Sequence, residues 1–186
     1  KIIEGLNDID LKFRCFIRAN TVNYDILKLL KDNGCVEVGM GAESGSQYIL
    51  DSMNKKIKIE ESKNVIKMCN KIGLRIKPFF MIGYPGENIE SVNMTKEFIK
   101  DTRPPDFDIT IYTPFPRTQV WNEYHKEDSK LDIEFKEPVD YNKMFYKSVE
   151  GRYSSNVRTS NLSYEDIEIL RNEIESLKDE IKWIIK

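Results

Sequence analysis

The sequence predicts an α/β fold in which parallel strands alternate with helices through about four βα units and a long helix closes the chain. Three observations predict it. Short apolar, β-leaning runs recur roughly every thirty-five residues. Between them lie stretches with apolar residues three and four apart, two of which end on glycine. Residues 163–186 then carry one more, longer stretch of the same helical spacing.

The first strand is KFRCFIR, residues 12–18, and NYDILKLLKDNG after it places Ile26, Leu27, Leu29 and Leu30 at helical spacing, with Gly34 as its stop. CVEVGMG is the second strand. IEESKNVIKMCNKIG is the second amphipathic helix and closes on Gly73. LRIKPFFMIG follows as the third strand, and ENIESVNMTKEFIKDT as the third helix, where Glu87 and Glu90 suit a helix start. FDITIYT is the fourth strand, ended by the rigid PFP turn. Residues 127–160 are polar and show no clear strand, so they read as an irregular connector in which Arg152 and Arg158 are solvated. Ser163 and Asp166 make a capping-box start for the last helix, whose seam runs through Ile167, Leu170, Ile174, Leu177, Ile181 and Ile184. That seam either packs on the chain's own sheet or forms a dimerising coiled coil. The expected division is 1–122 for the strand–helix unit, 123–162 for the connector and 163–186 for the helix.

Composition narrows the function classes. Twenty-nine basic and thirty-one acidic residues among 186 give a formal charge of −2, so no cationic excess exists to hold a nucleic-acid backbone. No window approaches the roughly eighteen uncharged apolar residues of a membrane span, and the first residues lack the regions of a signal peptide. The chain reads as soluble and cytoplasmic, with neither nucleic acid nor membrane as partner. Cys15, Cys35 and Cys69 lie far apart, without a CxxC pair, and read as small buried apolar residues; His125 reads as a solvated surface residue.

In parallel α/β sheets ligands gather beyond the carboxyl ends of the strands. Those ends present Arg18 and Asn20; Gly41, Glu43 and Ser44; Gly83, Pro85, Gly86 and Glu87; and Tyr112, Thr113 and Pro114. Glycines there admit a ligand close to the backbone, Glu43 can accept from ribose hydroxyls or an ammonium, and Arg18 can grip a carboxylate. The alternative is that the glycines only shape loops and Glu43 caps the next helix.

Three ordered segments, GCVEVGMGAESGSQYILDSMNKK, GLRIKPFFMIGYPGENIES and DFDITIYTPFPRT, resemble the second half of the catalytic barrel of radical S-adenosylmethionine (SAM) enzymes, nearest to the group often fused to a cobalamin-binding domain. The resemblance covers about residues 10–122. It implies a partial TIM-like (βα)6 barrel, a [4Fe–4S] cluster and reductive cleavage of SAM to a 5′-deoxyadenosyl radical, with cobalamin as a further cofactor and a small-molecule substrate of unknown identity. By the same resemblance Arg18, Glu43, Ser44, Met81, Gly83, Tyr112 and Pro114 bind the cofactor. PFPRT stands where PFPGT is commoner, with Arg117 in the place of glycine.

The family's cluster ligands are three cysteines spaced CxxxCxxC, and no such spacing occurs in the 186 residues. The expected account is a piece of a longer enzyme, inactive alone and without a metal site of its own. The competing account is a half-barrel without a cluster that acts as a binding module. An unpaired edge at KFRCFIR, or the C-terminal seam, is expected to drive self-association.

Overall fold

The computed structural model describes residues 11–113, 115–136 and 153–184, with side chains of the last helix through Ile181. Strands β1 (Phe13–Ile17), β2 (Cys35–Glu43), β3 (Arg75–Ile82) and β4 (Asp108–Ile111) form one sheet in the order β1-β2-β3-β4, every pair parallel. Helices α1 (Tyr24–Asp32), α3 (Ile59–Ile72) and α4 (Ile89–Thr102) make the crossovers, with short α2 (Gln47–Ser52) preceding α3. Gly34 and Gly73 follow α1 and α3 with φ of 91° and 66°, as predicted. The start of α4 differs. Asn88 is its N-cap, accepting from the Ser91 N–H at 2.9 Å, while Glu87 has turned away into the interior.

The period-two pattern of the strands sorts their side chains between two unlike faces. Val38, Met40, Ala42, Ile76, Phe80, Ile82 and Ile109 lie in the buried core shared with the helices. The Phe80 ring meets Phe98 of α4 and Phe107 edge-on at 5.6 and 6.1 Å. The opposite parity carries Arg14 and Phe16, Glu37 and Gly39, Lys77, Phe79 and Met81, then Asp108 and Thr110. Phe16 there is 82% exposed, so this face is open among the described residues. Gly39 sits between the Phe16 and Phe79 rings, and a Cβ on it would lie 2.9 Å from each.

The amino-terminal end of the open face is an ion-pair row that the sequence reading missed. Glu37 takes Arg75 at 2.7 Å and Arg14 at 3.6 Å, and Lys77 bridges Asp108 at 3.0 Å and Asp106 at 3.4 Å. These residues alternate with apolar ones along their strands, which was the available signal.

One short helix and one ladder correct the reading of the later chain. Helix α5 (Gln119–Tyr124) follows the PFPRT segment, and the stretch expected to be irregular contains β5 (Glu134–Phe135) paired antiparallel with β6 (Val157–Arg158). Phe135 stacks on Trp121 and Tyr124 of α5 at 5.7 and 4.0 Å, which anchors a ladder too short to show periodicity. Arg158 is exposed and pairs with Glu134 at 2.6 Å; Arg152 lies outside the described residues.

Helix α6 (Tyr164–Ile184) begins with the expected reciprocal cap between Ser163 and Asp166. Its seam does not wait for a second chain: Ile167, Leu170, Ile174, Leu177 and Ile181 are buried in the common core, with α6 against β4 and α4. Buried Arg171 stacks its guanidinium 3.4 Å from the Tyr153 ring and donates to the Ile109 carbonyl of β4. The Ile184 side chain lies outside the described residues. No described helix is long and apolar enough to cross a membrane.

Ile174→Ala should therefore cost about 2–5 kcal/mol in urea unfolding, as truncation of a fully buried aliphatic side chain does. A loss within about 0.5 kcal/mol, the range of surface changes, would mean that α6 is not packed on the sheet.

Candidate functional site

The carboxyl ends of the strands gather the polar and strained groups. Of the five described non-glycine residues with left-handed φ, Glu43, Asn54, Lys56 and Arg117 lie at this end, with φ of 62°, 54°, 52° and 68°, and only Arg103 lies elsewhere. Such backbone persists where surrounding contacts hold it, and its clustering points to a site. Arg117 thus adopts the backbone that glycine would supply in the commoner PFPGT.

At the end of β2 the pairing register with β3 shifts between Gly41 and Glu43. The shift and the positive φ of Glu43 fold its carboxylate back over the strand. A Cβ at Gly41 would lie 2.5 Å from Glu43 Oε1, so a side chain there would push the Glu43 carboxylate out of its present place. Gly45 likewise admits helix α4, whose Met94 carbonyl would stand 2.4 Å from a Cβ. The Glu43 carboxylate accepts from Lys55 Nζ at 2.6 Å, with the two side chains 15% and 38% exposed. Arg18 donates to the Lys55 carbonyl, and Asn20 to that of Lys56 at 3.1 Å. Arg18 and Glu43 are joined through the Lys55 loop, a residue that the sequence reading passed over because it sits in a short basic run without periodicity.

Ser44 lies elsewhere. It is buried, its hydroxyl accepting from the Ser46 N–H at 3.1 Å and lying 3.4 Å from Thr95 Oγ1 on α4. Its contacts tie the loop to the helix layer. The register shift beside Glu43 broke the alternation that would have kept the two residues on predictable faces.

The β3 exit is built by Tyr84-Pro85-Gly86-Glu87. Glu87 N–H donates to the Tyr84 carbonyl at 3.0 Å, and Gly86 has φ 82°, the pattern of a type II turn with proline second and glycine third. The Glu87 side chain turns inward and accepts from the N–H groups of Gly83 and Tyr84. Burial pushes its carboxyl up to about 8, outweighing those two bonds. The later chain holds the same turn from outside: Gly86 N–H donates to the Asp132 carbonyl at 3.1 Å, and Thr159 Oγ1 donates to the Glu87 carbonyl at 2.8 Å. Gly83 faces this clamp, with Val157 Cγ2 3.1 Å from where its Cβ would be.

Beside the turn, Met81, Tyr84, Thr110, Tyr112, Phe115 and Val120 line a cavity of about 700 Å³ at the ends of β3 and β4. Tyr84 and Tyr112 meet edge to face at 5.3 Å. Burial pushes the Tyr112 phenol up to about 12. Met81 and Tyr112 are thus brought together, apart from the Glu43–Lys55 pair, while Pro114 lies outside the described residues.

The cysteines take apolar positions. Cys35 and Cys69 are buried and Cys15 half-buried, with Cys15 and Cys35 sulfurs 4.0 Å apart. His125 is exposed, bonded through Nδ1 to the Trp121 carbonyl at 2.8 Å. No group of three histidine, cysteine or carboxylate side chains converges among the described residues.

Comparison with known proteins gives the same picture of the fold. Residues 1–99 match the Radical SAM superfamily. A methyltransferase of Pyrococcus horikoshii, itself uncharacterized, is 36% identical over 118 residues, which cover 63% of this chain and 25% of that protein. The bacteriochlorophyllide d C-8(2)-methyltransferase of Chlorobaculum tepidum is 31% identical over 137 residues, 71% of this chain and 30% of that one. Coproporphyrinogen III oxidase from Escherichia coli, a radical SAM enzyme, superposes with a TM-score of 0.58 at 16% identity, over 70% of this chain and 31% of that chain. A radical SAM methyltransferase from Kitasatospora setae, solved with cobalamin and a [4Fe-4S] cluster bound, gives 0.56 at 13% identity, over 61% and 24%. The chain spans about a quarter of the length of the curated relatives it matches.

The Glu87 carboxyl sets a pH dependence. Its proton is held more tightly in the folded chain than in the unfolded one, so its contribution to stability is fully present below the ordinary carboxylate range and is lost as pH rises through about 8. Thermal unfolding of the wild type should show this decline from about pH 4.3 upward, and Glu87→Gln, which keeps an acceptor for Gly83, should remove it. An unchanged slope in the variant would show that Glu87 is ionised in its pocket.

Proposed function

The chain belongs to the radical SAM superfamily, and we propose that it is the second half of the barrel of a longer enzyme that cleaves SAM reductively to a 5′-deoxyadenosyl radical. The observation that supports this most directly is the strained Glu43–Lys55 pair at a strand end, reached by Arg18 through the loop carbonyl.

SAM presents an ammonium, a carboxylate, ribose hydroxyls and an adenine ring. The described residues suit these groups. Glu43 can accept from the ammonium or the ribose, Lys55 can turn further N–H donors to the carboxylate, and the cavity beside Met81 and Tyr112 offers apolar walls to a ring. When bound, SAM supplies the carbon radical; this chain orients the molecule and excludes water from its apolar side. The clamp on Gly83–Glu87 holds one wall of that cavity in place.

The described residues do not suit the cluster. Burial pushes the Cys69 thiol up to about 12, and burial with neighbouring Cys15 pushes Cys35 up to about 11, so both are neutral and enclosed. On this reading the cluster ligands lie outside this chain. Methyl transfer is the subtype that the methyltransferase relatives favour, with cobalamin as its further cofactor. A half-barrel binding module without a cluster is the second reading, favoured only by the absence of a converging thiol set among the described residues.

In the full-length protein, Glu43→Ala should raise the Kd for SAM by roughly tenfold or more, since a charge-assisted hydrogen bond is worth about 1.5–3 kcal/mol. Equilibrium dialysis measures it. Thermal stability should change little, and a variant that loses stability but keeps its affinity would make Glu43 a structural residue.

A further inference from the structure

We propose that Glu87 is a positioning residue: from inside the turn that ends β3 it sets the Tyr84 ring at the wall of the cavity, and through that ring it governs how tightly the cavity holds the ring of a ligand. This rests on the reading of the cavity as the place of SAM's ring and adds its regulation by a proton. The backbone N–H and carbonyl of Tyr84 are both tied to this one residue. The N–H donates to the Glu87 carboxyl, as that of Gly83 does, and the carbonyl accepts from the Glu87 N–H at 3.0 Å. Pro85 locks φ at the position between them. The Tyr84 backbone therefore cannot turn while Glu87 stays in place, and its ring is held edge to face against Tyr112 at 5.3 Å, both rings lining the cavity. The later chain keeps Glu87 itself from moving, since Thr159 Oγ1 donates to its carbonyl at 2.8 Å and the Asp132 carbonyl takes the neighbouring Gly86 N–H at 3.1 Å.

Glu87 does this without a counter-charge. Its side chain is buried, with 1% of the residue exposed, and burial and the two backbone N–H groups are what act on its proton, burial the more strongly. The ionisable groups on the surrounding elements are engaged elsewhere, exposed or neutral. Asp132 accepts from the N–H and hydroxyl of Ser160 at 2.8 and 3.1 Å, and Glu168 of α6 from the Ser155 N–H at 2.7 Å. Arg158 of β6 pairs with Glu134, Arg171 of α6 stacks on Tyr153, and Lys96 of α4 pairs with Glu173. Glu90, on the same helix start, and Tyr48 of α2, against Gly86, are exposed. Burial keeps the Tyr84 and Tyr112 phenols neutral. A neutral Glu87 thus fits the closed turn, whereas an ionised one must draw water into it and displace the Tyr84 ring. With the carboxyl pushed up to about 8, the affinity of the cavity for a ring is fully present below that pH and falls as pH rises through it.

The test is equilibrium dialysis of adenosine against the full-length protein from about pH 6.5 to about pH 9. Adenosine carries the ring and ribose and has no group that ionises in this range. Its Kd should rise at least about fivefold across the range. Glu87→Gln, neutral at every pH and still an acceptor for Gly83, should bind adenosine at the high end as tightly as the wild type does at the low end. Glu87→Ala should bind at least about fivefold more weakly throughout, and the glutamine variant carries the test alone if the alanine variant does not fold. A wild-type Kd that is flat in pH, or a Glu87→Gln variant that keeps the wild-type slope, overturns the proposal, because a role in stability alone leaves the binding profile unmoved. Absence of saturable adenosine binding at the low end overturns it too. SAM should displace adenosine one for one; if it does not while the pH results hold, the SAM reading falls and the role of Glu87 stands.

Discussion

The sheet is dry on one face and open on the other, and the rest of the structure follows from that asymmetry. A parallel sheet whose crossover helices all lie on one side can bury only every second side chain beneath them. Val38, Met40, Ile76, Phe80 and Ile109 fill that side, and α6 extends the cover over β4 with its seam. The other parity is left to charge at one end of the strands, to Phe16, Phe79 and Met81 in the middle, and to ligand-competent groups at the carboxyl ends. The arrangement sets opposite chemistry a few residues apart on the same strand.

The carboxyl ends are held from two directions. Within the barrel unit, Arg18 and Asn20 fix the loop that carries Lys55, and Lys55 holds the Glu43 carboxylate over Gly41. From the later chain, Asp132 and Thr159 grip the turn that ends β3, while the buried Glu87 carboxyl grips it from inside. The positive φ values of Glu43 and Lys56 are sustained by the first of these sets of contacts. A site built this way is preorganised, so a ligand meets groups already in place instead of ordering them on arrival.

Much of the fold was legible because period two and period three-to-four patterns are tertiary contacts written in local spacing. The four strands, helices α1, α3 and α4 and the capped α6 all announce themselves by that rule. Helices α2 and α5 and the two-residue ladder do not, since six residues make fewer than two helical turns and two residues make a single strand period, too little for a pattern to repeat, and they depend on neighbours such as Phe135 on Trp121 and Tyr124. At the site, Glu43 was visible as a carboxylate among glycines at a strand end. The reason for those glycines was not: Gly39 and Gly45 are small because aromatic rings and helix α4 come close, contacts made by residues distant in sequence. Lys55 and the buried turn of Glu87 were hidden for the same reason, and Ser44 was misplaced because one register shift reverses which face a residue occupies.

The central claim is that this half-barrel works with SAM in a radical enzyme. Its most direct test is to supply the full-length protein anaerobically with iron and sulfide, reduce it, add SAM and measure 5′-deoxyadenosine by chromatography. The account predicts that 5′-deoxyadenosine forms in the protein's presence and depends on the reductant. A protein that takes up no cluster and leaves SAM intact under the same conditions would contradict it.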